Sequence, residues 1–344
     1  MPRSLDPLPH ESLPGYLLRL AHRLERTPGR IASLTGLAEP GSRGWRPVPA
    51  AAMLALDTWQ ARRFAEATRL SADEVENMGL RRLARRYAPL RGTGTGSRVT
   101  VRDLARSSRY WVLIDATRYC PQCLAGDGSA IQAAHGGGWQ QLWRLPLIVA
   151  CVRHQRLLSY YCPQCKQPAH LSRRDFIVPR MGDPGLHPAR CRGTVPKPGR
   201  PAEPGACGAR LDTPDSQDPG IAAELLGPIL TQQRAVLGAL DCDGTVSETD
   251  ACWLTGDLIA LSGLIKMSWP AGDQFVRPCL REQVAAHVER TRHAVTQLCG
   301  SSADLALSLM RRPPGDPATC AALLLAADHI LALGWRERRE ATAP

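Results

Sequence analysis

Eight residues between Tyr119 and Leu211 have the types and spacing needed to hold metal ions. They fall in Cys120-Pro121-Gln122-Cys123, Cys151-Val152-Arg153-His154 and Cys162-Pro163-Gln164-Cys165, followed by Cys191 and Cys207. Two residues between ligands let one tight turn aim both side chains at one ion, and a tetrahedral site is completed by a second pair from elsewhere. The spacing predicts one site from Cys120, Cys123, Cys151 and His154, and a second from Cys162, Cys165, Cys191 and Cys207. In the second, a Pro/Gly-rich run from Gly193 to Ala206 separates the last two cysteines and looks like an insertion in a short knuckle. His187 or His170 is the alternative ligand there. Four protein ligands leave no position for a reacting water, so two structural Zn²⁺ ions are expected. Their binding free energy would become folding free energy for a region that is mostly loop.

The elements around these turns differ in charge. The 344 residues carry a net charge of +11. Residues 1–118 hold +9, residues 119–211 hold +8 and residues 212–344 hold −6. Nearly all the cations are arginine, whose planar fork suits phosphate. These three stretches are the expected domains: helical, metal-binding and helical. No run of about 18 apolar residues is evident, so no membrane span is expected. The first ten residues lack a signal-peptide core. A cytoplasmic, nucleoid-associated protein with reduced cysteines is the expectation, which favours metal over disulfides.

In the first stretch Ser12 caps a helix with Pro14 in its first turn, and Leu13, Leu17, Leu20 and Leu24 make its apolar stripe. Arg19, Arg23 and Arg26 lie largely off that stripe. Thr27-Pro28 opens a second helix whose Ile31, Leu34 and Leu37 face inward. A third helix is expected over residues 51–70. Ser71 and Glu74 form a capping box that launches a helix toward Leu83. Ala65, Leu70-Ser71 and Val75 fit a helix-turn-helix pattern, with Arg69 where Gly is usual; a plain helical bundle fits as well. Arg81, Arg82, Arg85 and Arg86 follow on the same expected helix, where steps of three and four share one face. They are read either as a phosphate-straddling strip or as a solvated face. Arg98 closes a flexible Gly/Thr-rich loop that either touches DNA backbone or serves as a linker. Arg153, Arg173 and Arg174 extend the cationic surface. Trp139, Leu142, Trp143 and Leu145 are the expected core of the metal region.

After a Pro/Asp-rich stretch at 212–220, helices are expected over residues 221–240, 249–267, 276–298, 302–310 and 318–333. Cys242, Cys252, Cys279, Cys299 and Cys320 have no ligand spacing and read as buried small apolar residues. His287 and His293 read as surface residues. The fold class expected is therefore mainly α: a helical N-terminal domain of helix-turn-helix type, two small zinc units with short β-hairpins, and a helical C-terminal domain.

Several of these residues carry a family resemblance. The run from Glu11 to Ala21, Leu34-Thr35-Gly36-Leu37, the block Arg118–Leu124 with Asp127, the Trp stretch, the Cys-x-x-His pair and the second Cys-Pro-x-Cys resemble, in order, the TniQ family of transposition proteins. The resemblance covers residues 8 to about 211. It implies a non-enzymatic adaptor that binds double-stranded DNA, marks an insertion site directly or through a CRISPR effector complex, and recruits an AAA+ ATPase regulator. It also allows a homodimer. The acidic C-terminal third would be free to meet a partner protein.

The competing readings are a zinc-containing transcription regulator without a transposon partner, and a zinc enzyme. Deaminase chemistry needs His-x-Glu ahead of Pro-Cys-x-x-Cys, and zinc peptidases need His-Glu-x-x-His; neither pattern occurs. No carboxylate cluster suggests a two-metal nuclease.

Overall fold

A computed structural model describes residues 5–38, 40–41, 44–45, 48–91, 111–172, 176–197, 200–213, 223–298 and 301–342. The chain is mostly helical. Helix α1, Leu13–Arg23, begins as the sequence predicts, with Ser12 Oγ accepting from Gly15 N. Leu13, Leu17, Leu18 and Leu20 are buried. Arg19, expected off the apolar stripe, is buried instead. Its guanidinium Nε stands 3.4 Å from Glu11 Oε1, and Nη2 donates to Asp6 O. An internal carboxylate explains why a cation can lie on the apolar side. Helix α2, Pro28–Leu34, is capped by Thr27. Ile31 and Leu37 are buried as expected, whereas Leu34 is exposed. Strands β1, Pro40–Gly41, and β2, Gly44–Trp45, pair in the loop that follows.

The helix expected over 51–70 is broken. A 3₁₀ turn spans Ala50–Met53, and α3, Thr58–Thr68, starts afresh where Asp57 Oδ1 accepts from Gln60 N at 2.7 Å. A side-chain oxygen competing for the first amides sets that new start. Helix α4, Ala72–Asn77, carries the predicted capping box of Ser71 and Glu74. It stops well short of Leu83. Leu80 N donates to Met53 O and Arg81 N to Leu54 O, so the backbone leaves the helix to tie down the 3₁₀ turn. Residues Arg81–Leu83 form only a short 3₁₀ segment, and the four-arginine helical face does not form.

The middle region holds α5, Pro121–Ala125, and α6, Ala130–His135. It also holds two hairpins: β3, Ala150–Cys151, with β4, Arg156–Leu157, and β5, Thr194–Lys197, with β6, Arg200–Ala206. Trp139, Trp143 and Leu145 are buried core and Leu142 packs against them, as expected. Trp139 Nε1 donates to Pro188 O at 3.1 Å, which satisfies its one donor.

Five helices follow: α7, Ala223–Leu240; α8, Glu248–Met267; α9, Arg281–Leu298; α10, Ser302–Arg311; and α11, Pro317–Thr342. The expected segments are recovered, with α9 delayed by 3₁₀ turns at Ala271–Phe275 and Pro278–Leu280. Helix α8 packs against α7, α10 and α11. At Gly263 a Cβ would meet Met310 at 2.9 Å, so that glycine sets how closely α8 approaches α10. By length and composition, Pro317–Gly334 of α11 could cross a membrane, contrary to the sequence expectation, but 56% of it is buried in the fold. It is a core helix here. Cys252 and Cys320 are buried as expected; Cys242 and Cys279 are exposed, and Cys299 lies outside the described residues. His293 is exposed. His287, expected at the surface, is largely enclosed, and burial pushes its imidazole down to about 3.

One hydrophobic core runs through all three stretches, from Leu5 to Ala327. Buried polar side chains stitch it together. Arg118 donates to the carbonyls of Pro146 and Ile148 beside the first cysteine turn, and to Pro314 and Gly315 ahead of α11. Gln233 Oε1 of α7 accepts from Val149 N and Ala150 N. The C-terminal helices therefore brace the hairpin that presents Cys151 and His154.

Candidate metal centres and nucleic-acid interface

The eight sequence-chosen ligands converge into the two predicted groups, in each of which all ligand atoms lie within 4.8 Å of one another. In the first, His154 Nδ1 lies 3.4 Å from Cys120 Sγ, 3.3 Å from Cys123 Sγ and 3.4 Å from Cys151 Sγ, and Cys123 Sγ lies 3.7 Å from Cys151 Sγ. Metal–sulfur bonds of about 2.3 Å and metal–nitrogen bonds of about 2.0 Å place tetrahedral ligands roughly 3.5–3.8 Å apart. The donor set fits one tetrahedral cation. Helix α5 supplies Cys123 one turn after Cys120, and the β3–β4 turn supplies Cys151 and His154.

In the second group Cys162 Sγ is 3.9 Å from Cys207 Sγ, and Cys165 Sγ is 3.7 Å from Cys191 Sγ. The apparent insertion is the β5–β6 hairpin. Its ends are closed by Cys207 N donating to Gly193 O at 2.8 Å and Gly208 N to Cys191 O at 2.9 Å. An antiparallel ladder returns to its starting point, so inserted residues project outward while the two cysteines stay adjacent. The alternative ligands are used elsewhere. His170 stacks on Trp139, with ring centroids 3.9 Å apart, and His187 contacts His22.

The thiols of each group lie close enough to perturb one another. Close neighbouring thiols hold Cys151 below the ordinary thiol range, with Cys120 the main cause, and Cys162 likewise, with Cys191 the main cause. The same crowding pushes Cys123 up, chiefly through Cys120, and Cys191 up, chiefly through Cys162. The three thiols of the first group and the four of the second could ionise together only around a cation.

Two glycines tune these turns. A Cβ at Gly137 would lie 2.0 Å from Cys123 O, and one at Gly193 would lie 3.0 Å from Cys165 Sγ. The spacing rules miss both. A Gly-rich run after α6 was the available signal.

The described arginines chosen as nucleic-acid contacts differ in exposure. Arg69, Arg85 and Arg153 are exposed, and Arg81 and Arg82 are half-buried. Arg86 is buried and donates Nη1 to Ala239 O at 3.1 Å and Val246 O at 2.9 Å. This corrects its assignment as a surface contact: with α4 ending at Asn77, the chain turns it into the body of the protein. Arg98, Arg173 and Arg174 lie outside the described residues. Helices α3 and α4 are joined by Arg69-Leu70-Ser71, and Arg69 adopts φ 60° and ψ 33°. It therefore occupies the left-handed position that glycine ordinarily fills.

The residues of the opening run act structurally. Ser12 caps α1, and Tyr16 Oη donates to Leu5 O at 2.8 Å. A Cβ at Gly15 would meet Trp139 Cβ at 2.8 Å, so glycine lets α1 lie against the metal-region core. Asp127 accepts from Ser129 N and Gln132 Nε2, fixing the entry to α6. These contacts give the run a structural role in this chain.

No curated protein matches the chain. The family model TniQ matches residues 2–158, taking in α1, the Leu34–Leu37 turn and the whole first metal-ligand group, and stopping before the second. Over those residues the chain is similar to the TniQ family, as the residues from Glu11 to His154 led us to expect.

Proposed function

We propose that this protein is a target-selection adaptor of a transposon. It binds double-stranded DNA at the insertion site and recruits an AAA+ ATPase regulator, with recognition direct or delegated to a CRISPR effector complex. The observation that carries this reading is the TniQ match over residues 2–158. The two ligand groups take Zn²⁺, whose preference for tetrahedral thiolate and imidazole donors they suit. Closed sites of this kind serve as architecture, and the protein performs no catalysis. It works in the cytoplasm on nucleoid DNA. The exposed Arg69, Arg85 and Arg153 contact phosphates, with Arg98, Arg173 and Arg174 as further candidates from the sequence. The α3–α4 pair, if it enters DNA, does so with Arg69 at its turn.

The test is co-purification with an AAA+ transposition regulator, with and without duplex DNA. Association that strengthens with DNA is the expected result. Duplex binding with no association under any DNA condition assigns the protein instead to zinc-containing transcription regulators.

A further inference from the structure

Trp59 opens α3 with its indole 53% exposed, a large apolar surface to leave in water. It is held in place by its neighbours. Arg63, one turn along α3, lays its guanidinium 5.0 Å from the ring centroid. What places Arg63 there is Gly36. That residue has φ +75°, and a Cβ on it would come within 2.9 Å of both Arg63 Cβ and Arg63 Nε. The bare backbone at Gly36 is the bed on which the arginine stem lies flat. The turn carrying Gly36 is itself fixed: Thr35 is buried with its hydroxyl donating to Ile31 O at 2.9 Å, and Gln60 Nε2 of α3 donates to Leu37 O. The Leu34–Leu37 segment thus positions an arginine over an exposed indole.

Beside the ring is an open hollow of about 540 Å³ lined by Leu34, Trp59, Arg62, Arg63 and Glu66. Its rim is cationic. Arg62 and Arg63 outnumber Glu66, and Glu66 is already engaged by Arg62 at 3.0 Å. A flat aromatic ring, a facing aliphatic side chain and surrounding guanidinium groups are what an unpaired base with its flanking phosphates requires. A duplex offers its bases only by their edges, so it cannot use such a slot.

We infer that Trp59, Leu34, Arg62 and Arg63 form a stacking site for an unpaired nucleobase of a single-stranded or locally opened nucleic acid. The site rests on the nucleic-acid-binding reading above and adds a second mode of contact to it. The duplex is gripped by exposed arginines elsewhere, and a flipped or displaced base is held here.

The experiment uses the full-length, metal-loaded protein and fluorescence anisotropy with three probes: a blunt duplex, a deoxythymidine oligomer and a uridine oligomer. Trp59→Ala is expected to weaken single-strand binding roughly 5- to 100-fold, the value of one stacked base, while duplex affinity and the salt slope stay unchanged. Trp59→Phe should retain most of the single-strand affinity. Arg63→Gln should lower the single-strand salt slope by about 0.7. The two oligomers tell whether DNA or RNA is the ligand. Wild-type binding to duplex but to neither oligomer, or Trp59→Ala binding the oligomers like wild type, overturns the stacking site alone. Failure of the wild type to bind any probe removes the broader nucleic-acid reading as well.

Discussion

Arg86 Nη1 donates to Val246 O at 2.9 Å, from within an arginine run that looks in sequence like a strip offered to phosphate. Its neighbour Arg85 is exposed and only lightly engaged, 3.4 Å from Glu248 across the surface. Adjacent residues of one type therefore have opposite tasks. Arg86→Ala should destabilise the protein by about 2–4 kcal/mol, because the carbonyls of Ala239 and Val246 lose a buried charged donor. Arg85→Ala should change stability by less than about 1 kcal/mol and lower the duplex-DNA salt slope by about 1. Urea denaturation and salt-titrated anisotropy measure the two. A stable Arg86→Ala protein would show that this joint contributes little.

Metal content follows from the ligand geometry. Purified protein should carry two equivalents of zinc by elemental analysis. Cys120→Ser should lose one of them and lower the unfolding midpoint, with DNA binding falling only as the fold is lost. A folded Cys120→Ser protein with two zinc ions would refute the assignment of the first site.

Gly137 offers a test that alters no ligand. A Cβ there meets Cys123 O at 2.0 Å, and backbone cannot yield as a flexible side chain can. Gly137→Ala should cost upward of about 2 kcal/mol and speed zinc release to a chelator from the Cys120 site, leaving the Cys162 site unaffected. A chromogenic chelator assay resolves the two rates.

Arg69 holds a left-handed backbone, φ 60°, between α3 and α4. Glycine adopts that conformation without strain, so Arg69→Gly should leave stability unchanged or raise it by up to about 1 kcal/mol. If Arg69 touches phosphate, duplex affinity should nonetheless fall. Loss of both stability and binding would mean that the side chain, not its charge, is what matters there.

Glu11 supplies a pH dependence. Burial raises its carboxyl to about 7, against the lowering effect of Arg19. A folded-state value above the unfolded one means that folding favours the protonated form. Its contribution to stability is complete below the ordinary value of 4.5 and is lost as pH rises through about 7. The stability difference between Glu11→Gln and wild type should therefore move in the variant's favour by a few kcal/mol from pH 5 to about 8, on top of a pH-independent loss from leaving buried Arg19 without its carboxylate. A difference that is flat across this range would show that Glu11 keeps its charge at every pH tested.

Much of this protein was set locally. Ser12, Thr27 and Ser71 declare helix starts because a side-chain oxygen captures the first free amides, and that interaction needs only three or four residues. The cysteine pairs declare metal turns for the same reason: two-residue spacing is itself the geometry. The later helices were legible from apolar periodicity, since each buries one continuous face. What required the tertiary structure depends on partners distant in sequence. Nothing near Arg86 announces that Ala239 and Val246 will receive it, and nothing near Arg19 shows how its burial with Glu11 will be tolerated. The split between Cys191 and Cys207 reads as a flaw until the β5–β6 ladder brings its ends together. Gly36 becomes more than a helix stop only when α3 lays Arg63 across it and turns Trp59 into a surface. Sequence alone determined which residues could bind metal and where the helices capped by Ser12, Thr27 and Ser71 begin; packing across the chain decided which arginines face water, because burial is a property of the assembled core.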